Sequence, residues 1–289
     1  MDDREPTVRS RELGEGLRLV MQRAGFTGSE MARQLDWSQS KISRLLSGKR
    51  GGSGYDVSAF LAVCGVKGAE RDRLMSLTVE RDRKGWLQQH GPMLPKQVRT
   101  LIDHETNAVS IGHFQSTLVP GLLQTGDYAR AVIEGSGAVP DNEVEDRVSA
   151  RLARQSLLSR RYPPHCTFFL HEFVLRLPAG GPVVMSEQLH HLLRMSVRPK
   201  ISLRVVPTSV GAHAGTAGPF TLLDVADFKP IVYLDSQTSC LFLESPVEID
   251  AYRDILARLE STALGEGESR ELIATAATEL YSDGDDDHD

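Results

Sequence analysis

From residue 11 to about 83, apolar residues recur at helical spacing, broken only by short Gly- or Ser-containing interruptions. The stretch GWLQQHGPMLP at 85–95 then crowds glycine and proline together and marks a domain boundary. Beyond it, helical stretches alternate with short runs rich in β-branched and aromatic residues. Strands are expected at 166–172, 201–207, 219–225, 230–235 and 240–245. Helices are expected at 97–110, 127–134, 142–160, 186–196, 247–264 and 268–281. The last three strands follow one another closely, which predicts an antiparallel meander. The chain therefore reads as multidomain: an all-α domain at 11–84, a linker at 85–97 and a mixed α/β (α+β) domain at 98–281. Residues 1–10 are polar and expected to be flexible, and 282–289 form an acidic, solvated tail.

Local signals are densest between Phe26 and Gly48. Thr27 and Glu30 have capping-box spacing, and Phe26 with Met31 has the spacing of a hydrophobic staple, so a short helix should run over 28–35. The design recurs eleven residues on. Ser38 is an N-cap, Trp37 and Ile42 make a second staple, and a helix should run over 39–46 to a left-handed stop at Gly48. Only Asp36 and Trp37 separate the two helices, and aspartate tolerates the left-handed turn needed there. Helices joined so tightly cross steeply, with Ala32 small enough for close approach. That is the geometry of a helix-turn-helix.

Around the second helix, Ile42, Leu45 and Leu46 share one side, while Gln39, Ser40, Ser43 and Arg44 share the other. Base edges in a DNA major groove offer donors and acceptors to glutamine and paired acceptors to arginine, so this polar face is expected to read bases. Ser38, Lys41, Lys49 and Arg50 flank it, at positions suited to phosphate contacts that fix register without reading sequence.

The net charge of −6 runs against such a role until it is divided. Residues 8–50 hold nine Lys/Arg against four Asp/Glu, an excess of five positive charges, which leaves −11 on the remainder. A basic segment on an acidic body is the charge pattern of a nucleic-acid reader that keeps the rest of itself off the phosphates. The composition, 40% hydrophobic and 25% charged, is that of an ordinary globular protein. No apolar run is long enough for a membrane span, and the charged N-terminus lacks a secretory signal's apolar core. Three widely spaced cysteines, Cys64, Cys166 and Cys240, fit neither a disulfide framework nor a zinc site. A cytoplasmic location with no membrane association is expected.

The segment GFTGSEMARQLDWSQSKISRLLSGKR resembles the Xre/Cro, lambda-repressor-type helix-turn-helix, with Ala32, the turn at Asp36, and Ile42 and Leu45 at the matching positions. The resemblance implies that Gln39, Ser40, Ser43 and Arg44 face bases, and that a homodimer binds a palindromic operator in double-stranded DNA. Two positions depart from the family. Gly28 stands where a phosphate-contacting Gln is frequent, and Leu46 replaces a frequent Glu. Farther on, the blocks LVPGLLQTGDYARAV, RVSARLARQSLL, GPVVMSEQLHHLL, VGAHAGTAGPFTLL and PIVYLD occur in order. They resemble the uncharacterised C-terminal domain of actinobacterial WhiJ-like developmental regulators, and the arginine-heavy basic usage suits a GC-rich genome. That family is described as antitoxin-like and often neighbours a small acidic protein, so the resemblance implies a partner-binding role.

Read for chemistry alone, Arg147, Arg151 and Arg154 line one helix face that could meet an acidic partner or ligand. The glycine-rich segment 211–220 is a loop, and His213 at its centre is the candidate ligand or partner contact. Catalysis is not expected. Leu175 stands where a zincin motif beginning at His171-Glu172 needs a second histidine, His190 and His191 are adjacent, and no nucleophile elbow, P-loop or dinucleotide fingerprint occurs. Cys166 lies in an apolar strand. No metal or cofactor is implied. The function expected is a sequence-specific DNA-binding transcriptional repressor whose second domain takes a small partner protein or a small-molecule effector. The alternative is an antitoxin-like protein that neutralises its partner and binds DNA only to regulate itself.

Overall fold

The structure is a computed structural model and describes residues 8–49, 53–78, 86–89, 95–226, 228–236 and 239–282. Five helices come first: α1 (Val8–Arg23), α2 (Gly28–Leu35), α3 (Gln39–Leu46), α4 (Gly54–Val63) and α5 (Gly68–Ser76). They enclose a core in which Leu17, Met31, Ile42, Val57, Phe60, Leu61 and Leu74 are almost wholly buried. Helix α1 lies close against the end of α3. A Cβ on Gly14 would stand 2.5 Å from the Leu46 carbonyl oxygen, so glycine is what permits the approach.

The rest of the chain folds around a seven-stranded mixed sheet. Its elements are β1 (Trp86–Gln89), α6 (Pro95–Asn107), β2 (Ala108–Gln115), α7 (Gly126–Gly135), α8 (Val144–Arg154), β3 (His165–His171), α9 (Phe173–Arg176), α10 (Pro182–Ser196), β4 (Ile201–Val206), β5 (Phe220–Val225), β6 (Phe228–Asp235), β7 (Ser239–Leu243), α11 (Pro246–Thr262) and α12 (Glu266–Ser282). The strand order is β1-β7-β6-β5-β2-β3-β4. Strands β2, β3 and β4 run parallel, whereas β5, β6, β7 and β1 continue as antiparallel pairs. The meander expected over the last three strands is present.

Because the sheet is covered on both faces, its strands read as near-continuous apolar runs rather than alternating ones. Phe168, Leu170, Leu203 and Val205 join one core with residues of α7, α10 and α12. Phe169, Val206, Phe114 and Phe220 join the other, beneath Ile249 and Leu259 of α11. The exposed backbone of edge strand β4 is closed by the connection between the last two helices and the start of α12: the Leu264 N–H donates to the Val205 carbonyl, and the Ser269 hydroxyl accepts from the Val205 N–H.

Two strands differ from expectation. The helix expected at 97–110 ends at Asn107, and β2 follows without a loop. Its Gly112 and His113 disguise a central strand. Gly112 is there because Leu256 of α11 presses onto the strand where a Cβ would otherwise lie. Residues 86–89, inside the stretch expected as a linker, pair with β7 at the sheet edge. The expected acidic tail lies outside the described residues apart from Ser282.

Candidate nucleic-acid interface

Both helix starts of the expected motif are capped. The Thr27 hydroxyl accepts from the Glu30 N–H while the Glu30 carboxylate accepts from the Thr27 hydroxyl and N–H, and these two bonds hold that carboxyl below its ordinary range. The Ser38 hydroxyl accepts from the Lys41 N–H at 3.2 Å. Between the helices Asp36 adopts a left-handed conformation (φ 52°), and Gly48 (φ 70°) ends the second. Gly48 is also confined, since a Cβ there would stand 2.8 Å from the Ser10 carbonyl oxygen.

Helix α3 buries Ile42 and Leu45 and leaves Gln39, Ser40, Ser43 and Arg44 exposed on the opposite side. Among the described residues these side chains have only local partners. The Gln39 amide donates to the Ser29 hydroxyl at 3.0 Å, and Arg44 folds back onto the Ser40 carbonyl and hydroxyl at 3.1 and 3.2 Å. Leu46 turns toward the helical core, and its carbonyl accepts from Arg18 of α1.

The flanking cations are disposed unequally. Lys49 is exposed, and Arg50 lies outside the described residues. Lys41 sits 3.7 Å above the centre of the Trp37 ring and 2.7 Å from the Asp56 carboxylate. Burial would raise the Asp56 pKa, but hydrogen bonds from Lys41 and Ser53 bring it below the ordinary value.

The arginine face of α8 is turned largely to the protein itself. Arg147 pairs with Glu143 at 2.9 Å, Arg151 donates to the Gln124 side-chain oxygen at 2.9 Å, and Arg154 grips buried Glu105 through two hydrogen bonds of 2.9 and 2.7 Å. Burial disfavours the Arg154 charge, but Glu105 more than offsets this and raises its pKa. Among the described residues Arg151 has no such carboxylate bond, and burial with neighbouring Arg154 lowers its pKa.

His213 is half-buried. Its ring stacks on His171 with centroids 5.5 Å apart and meets the edge of Phe114. The sequence pointed to His213 but missed His171 as its neighbour; the available signal was a histidine at the last position of a strand. Cys166 is buried in β3, where desolvation pushes its thiol up to about 12, a poor setting for a nucleophile. Among the described residues no cluster of His, Cys, Asp or Glu is placed to hold a metal, and no helix is long and apolar enough to cross a membrane.

Two short capped helices meeting through a tight turn, the second with a polar outer face, define a helix-turn-helix protein, a DNA-binding class. The helix-turn-helix domain family matches residues 12–74. A second family, described as Domain of unknown function (DUF5753), matches residues 98–275, more than half of the chain, and the protein belongs to that family. No curated protein matches significantly. A solved structure, that of TrmBL2, "an archaeal chromatin protein" said to show "a novel mode of DNA binding", aligns over 83% of this chain and 88% of its own, at 11% identity and a TM-score of 0.29. That likeness is too slight to bear on this protein.

Proposed function

We propose that the chain is a sequence-specific, DNA-binding transcriptional regulator of the Xre/Cro type, acting as a cytoplasmic repressor. Helix α3 enters the major groove, where Gln39, Ser40, Ser43 and Arg44 meet base edges. Ser38, Lys41, Lys49 and Arg50 hold the flanking phosphates. The observation that carries the reading is the division of α3: Ile42 and Leu45 are buried, while four residues able to bond bases are exposed.

One module of this size covers few base pairs and buries little surface. A homodimer on a palindromic operator, with half-sites about 34–36 Å apart, supplies the missing contacts. Residues 11–84 form the DNA-binding unit and 98–281 the domain that receives a signal, from a small partner protein or a small-molecule effector. Whatever the signal, it must favour one of two DNA-binding states, because a ligand with equal affinity for both shifts nothing.

The test is selection by the purified full chain from a randomised duplex pool at low ionic strength, followed by sequencing. Enrichment of a two-fold symmetric motif is expected. Retention without any enriched motif, or no retention, removes the proposal.

A further inference from the structure

Strands β2 and β3 run parallel and side by side, with Gln115 opposite Leu170, so their carboxyl ends open at the same place. In sheets with parallel strands, ligands collect in the crevice outside those ends. Here a concavity of about 260 Å³ lies between Ser116, His171, Phe173, His213, Gly215 and Thr216. The loop that closes it is firmly tied. Glu172 accepts from the Thr208 N–H and hydroxyl, the Thr216 hydroxyl bridges the His213 N–H and carbonyl, and Gly215 packs so tightly on Phe114 that a Cβ would stand 2.6 Å from the ring.

The hydrogen bonds fix what the two histidines present. The Phe173 N–H donates to the His171 Nδ1 at 3.2 Å, and the Gly215 N–H donates to the His213 Nδ1 at 3.1 Å. A backbone N–H cannot accept, so each Nδ1 keeps its lone pair and each neutral ring carries its proton on Nε2. Among the described residues neither Nε2 has a protein partner. Two stacked rings, each with an Nε2–H donor, thus line one concavity together with Ser116.

This arrangement selects among ligands. A metal ion would need the Nε2 lone pair, and the ring would then have to protonate Nδ1 against a donating N–H. A hydrogen-bond acceptor meets the site as built. Phe173, 44% exposed, adds an apolar wall that favours a flat apolar body.

We propose that this concavity binds a small aromatic carboxylate, its oxygens taken by the Nε2–H groups of His171 and His213 and its ring laid against Phe173. The inference rests on the reading of residues 98–281 as the signal-receiving domain and names the class of effector for it.

The experiment uses ¹⁵N-labelled full chain, benzoate as the probe, and the imidazole nitrogen spectrum at pH 7.5. Expected are Nε2–H tautomers for both histidines, and saturable benzoate shifts at both that are absent at buried His104. His213→Phe keeps a ring against His171 and Phe114 and should weaken benzoate at least tenfold. Phe173→Ala should weaken it while leaving both tautomers unchanged. Nδ1–H tautomers, stoichiometric zinc uptake by the pair, or shifts that never saturate would each overturn the proposal. Selection from the duplex pool, repeated on His213→Phe, separates the two readings. Retained motif enrichment with lost benzoate binding assigns the defect to the concavity. Benzoate binding by a wild-type chain that enriches no motif removes the DNA reading and leaves the carboxylate site standing.

Discussion

Arg11, on the first helix of the N-terminal bundle, donates to the carboxylate of Asp103 on α6 of the sheet domain. The arginine is buried and the aspartate half-exposed, and burial lowers the Arg11 pKa despite Asp103. The bond therefore joins two domains through a charge that water does not fully serve. Asp103→Ala removes that acceptor and should cost about 1–3 kcal/mol, the range for an acceptor taken from a buried donor. Arg11→Met in the same background should restore part of it. Urea unfolding of the two single variants and the double closes the cycle, and strict additivity would show the residues to be uncoupled.

Arg44 and Lys49 are expected to fail differently. Arg44→Ala should weaken binding to the enriched site by roughly 1–3 kcal/mol and leave binding to random duplex unchanged. Replacing Lys49 and Arg50 with alanine should weaken both DNAs alike and reduce the salt slope by about one unit for each phosphate no longer neutralised. Titrations at several salt concentrations on both duplexes separate these outcomes. Equal losses on both DNAs for Arg44→Ala would remove it from the base-reading set.

Lys41 shows what the sequence concealed. Its amine is already committed to Asp56 and Trp37, so reaching a phosphate means leaving an ion pair. Asp56→Asn keeps an oxygen for the α4 cap with Ser53 and drops the charge. A surface ion pair is worth about 0–1 kcal/mol, so DNA affinity at low salt should rise by up to about fivefold. The gain should vanish when Lys41→Ala is added. A gain that survives Lys41→Ala would show that Asp56 acts by repelling DNA and not by holding Lys41.

The helix-turn-helix was legible because its determinants are local. Caps at Thr27 and Ser38 and the turn at Asp36 each depend on residues within four positions, and these and the stop at Gly48 all adopt the expected geometry. The sheet was legible only in part. Strand β2 owes Gly112 to Leu256, distant in sequence, and edge strand β1 exists through pairing with β7. The α8 arginines looked like an interaction surface because their spacing shows which way a helix faces but not what lies opposite. Glu105, the partner of Arg154, comes from α6. His171 and His213 likewise meet only through the parallel pairing that sets the end of β3 beside the loop after β4.

Glu105 and Arg154 test that packing directly. Glu105 is buried and Arg154 half-buried, and their two-pronged contact ties α8 to α6. Glu105→Ala strands the guanidinium and should cost about 3–5 kcal/mol, the loss typical of breaking a buried pair from one side. The double change Glu105→Leu with Arg154→Met removes both charges and should recover most of that loss. Thermal unfolding of the three proteins decides it, and a small effect of Glu105→Ala would mean that water reaches Arg154.

His104 makes the fold sensitive to acid. It is 1% exposed, its Nδ1 lies 2.7 Å from the Thr100 carbonyl, and its ring rests near Phe242. Burial, reinforced by the charge of Arg11, pushes its pKa down to about 3. The folded ring therefore stays neutral where the unfolded one, with an ordinary value near 6.5, takes up a proton. The unfolded state binds the extra proton between those two values, so stability falls as pH drops from about 6.5 toward about 3. At pH 5 the loss attributable to this residue is about 2 kcal/mol. His104→Phe keeps a ring beside Phe242 and cannot titrate, so its stability should fall less steeply between pH 7 and 5. Urea midpoints across that interval measure the difference. Identical slopes for the two proteins would mean that His104 is charged in the folded state or reaches solvent before the chain unfolds.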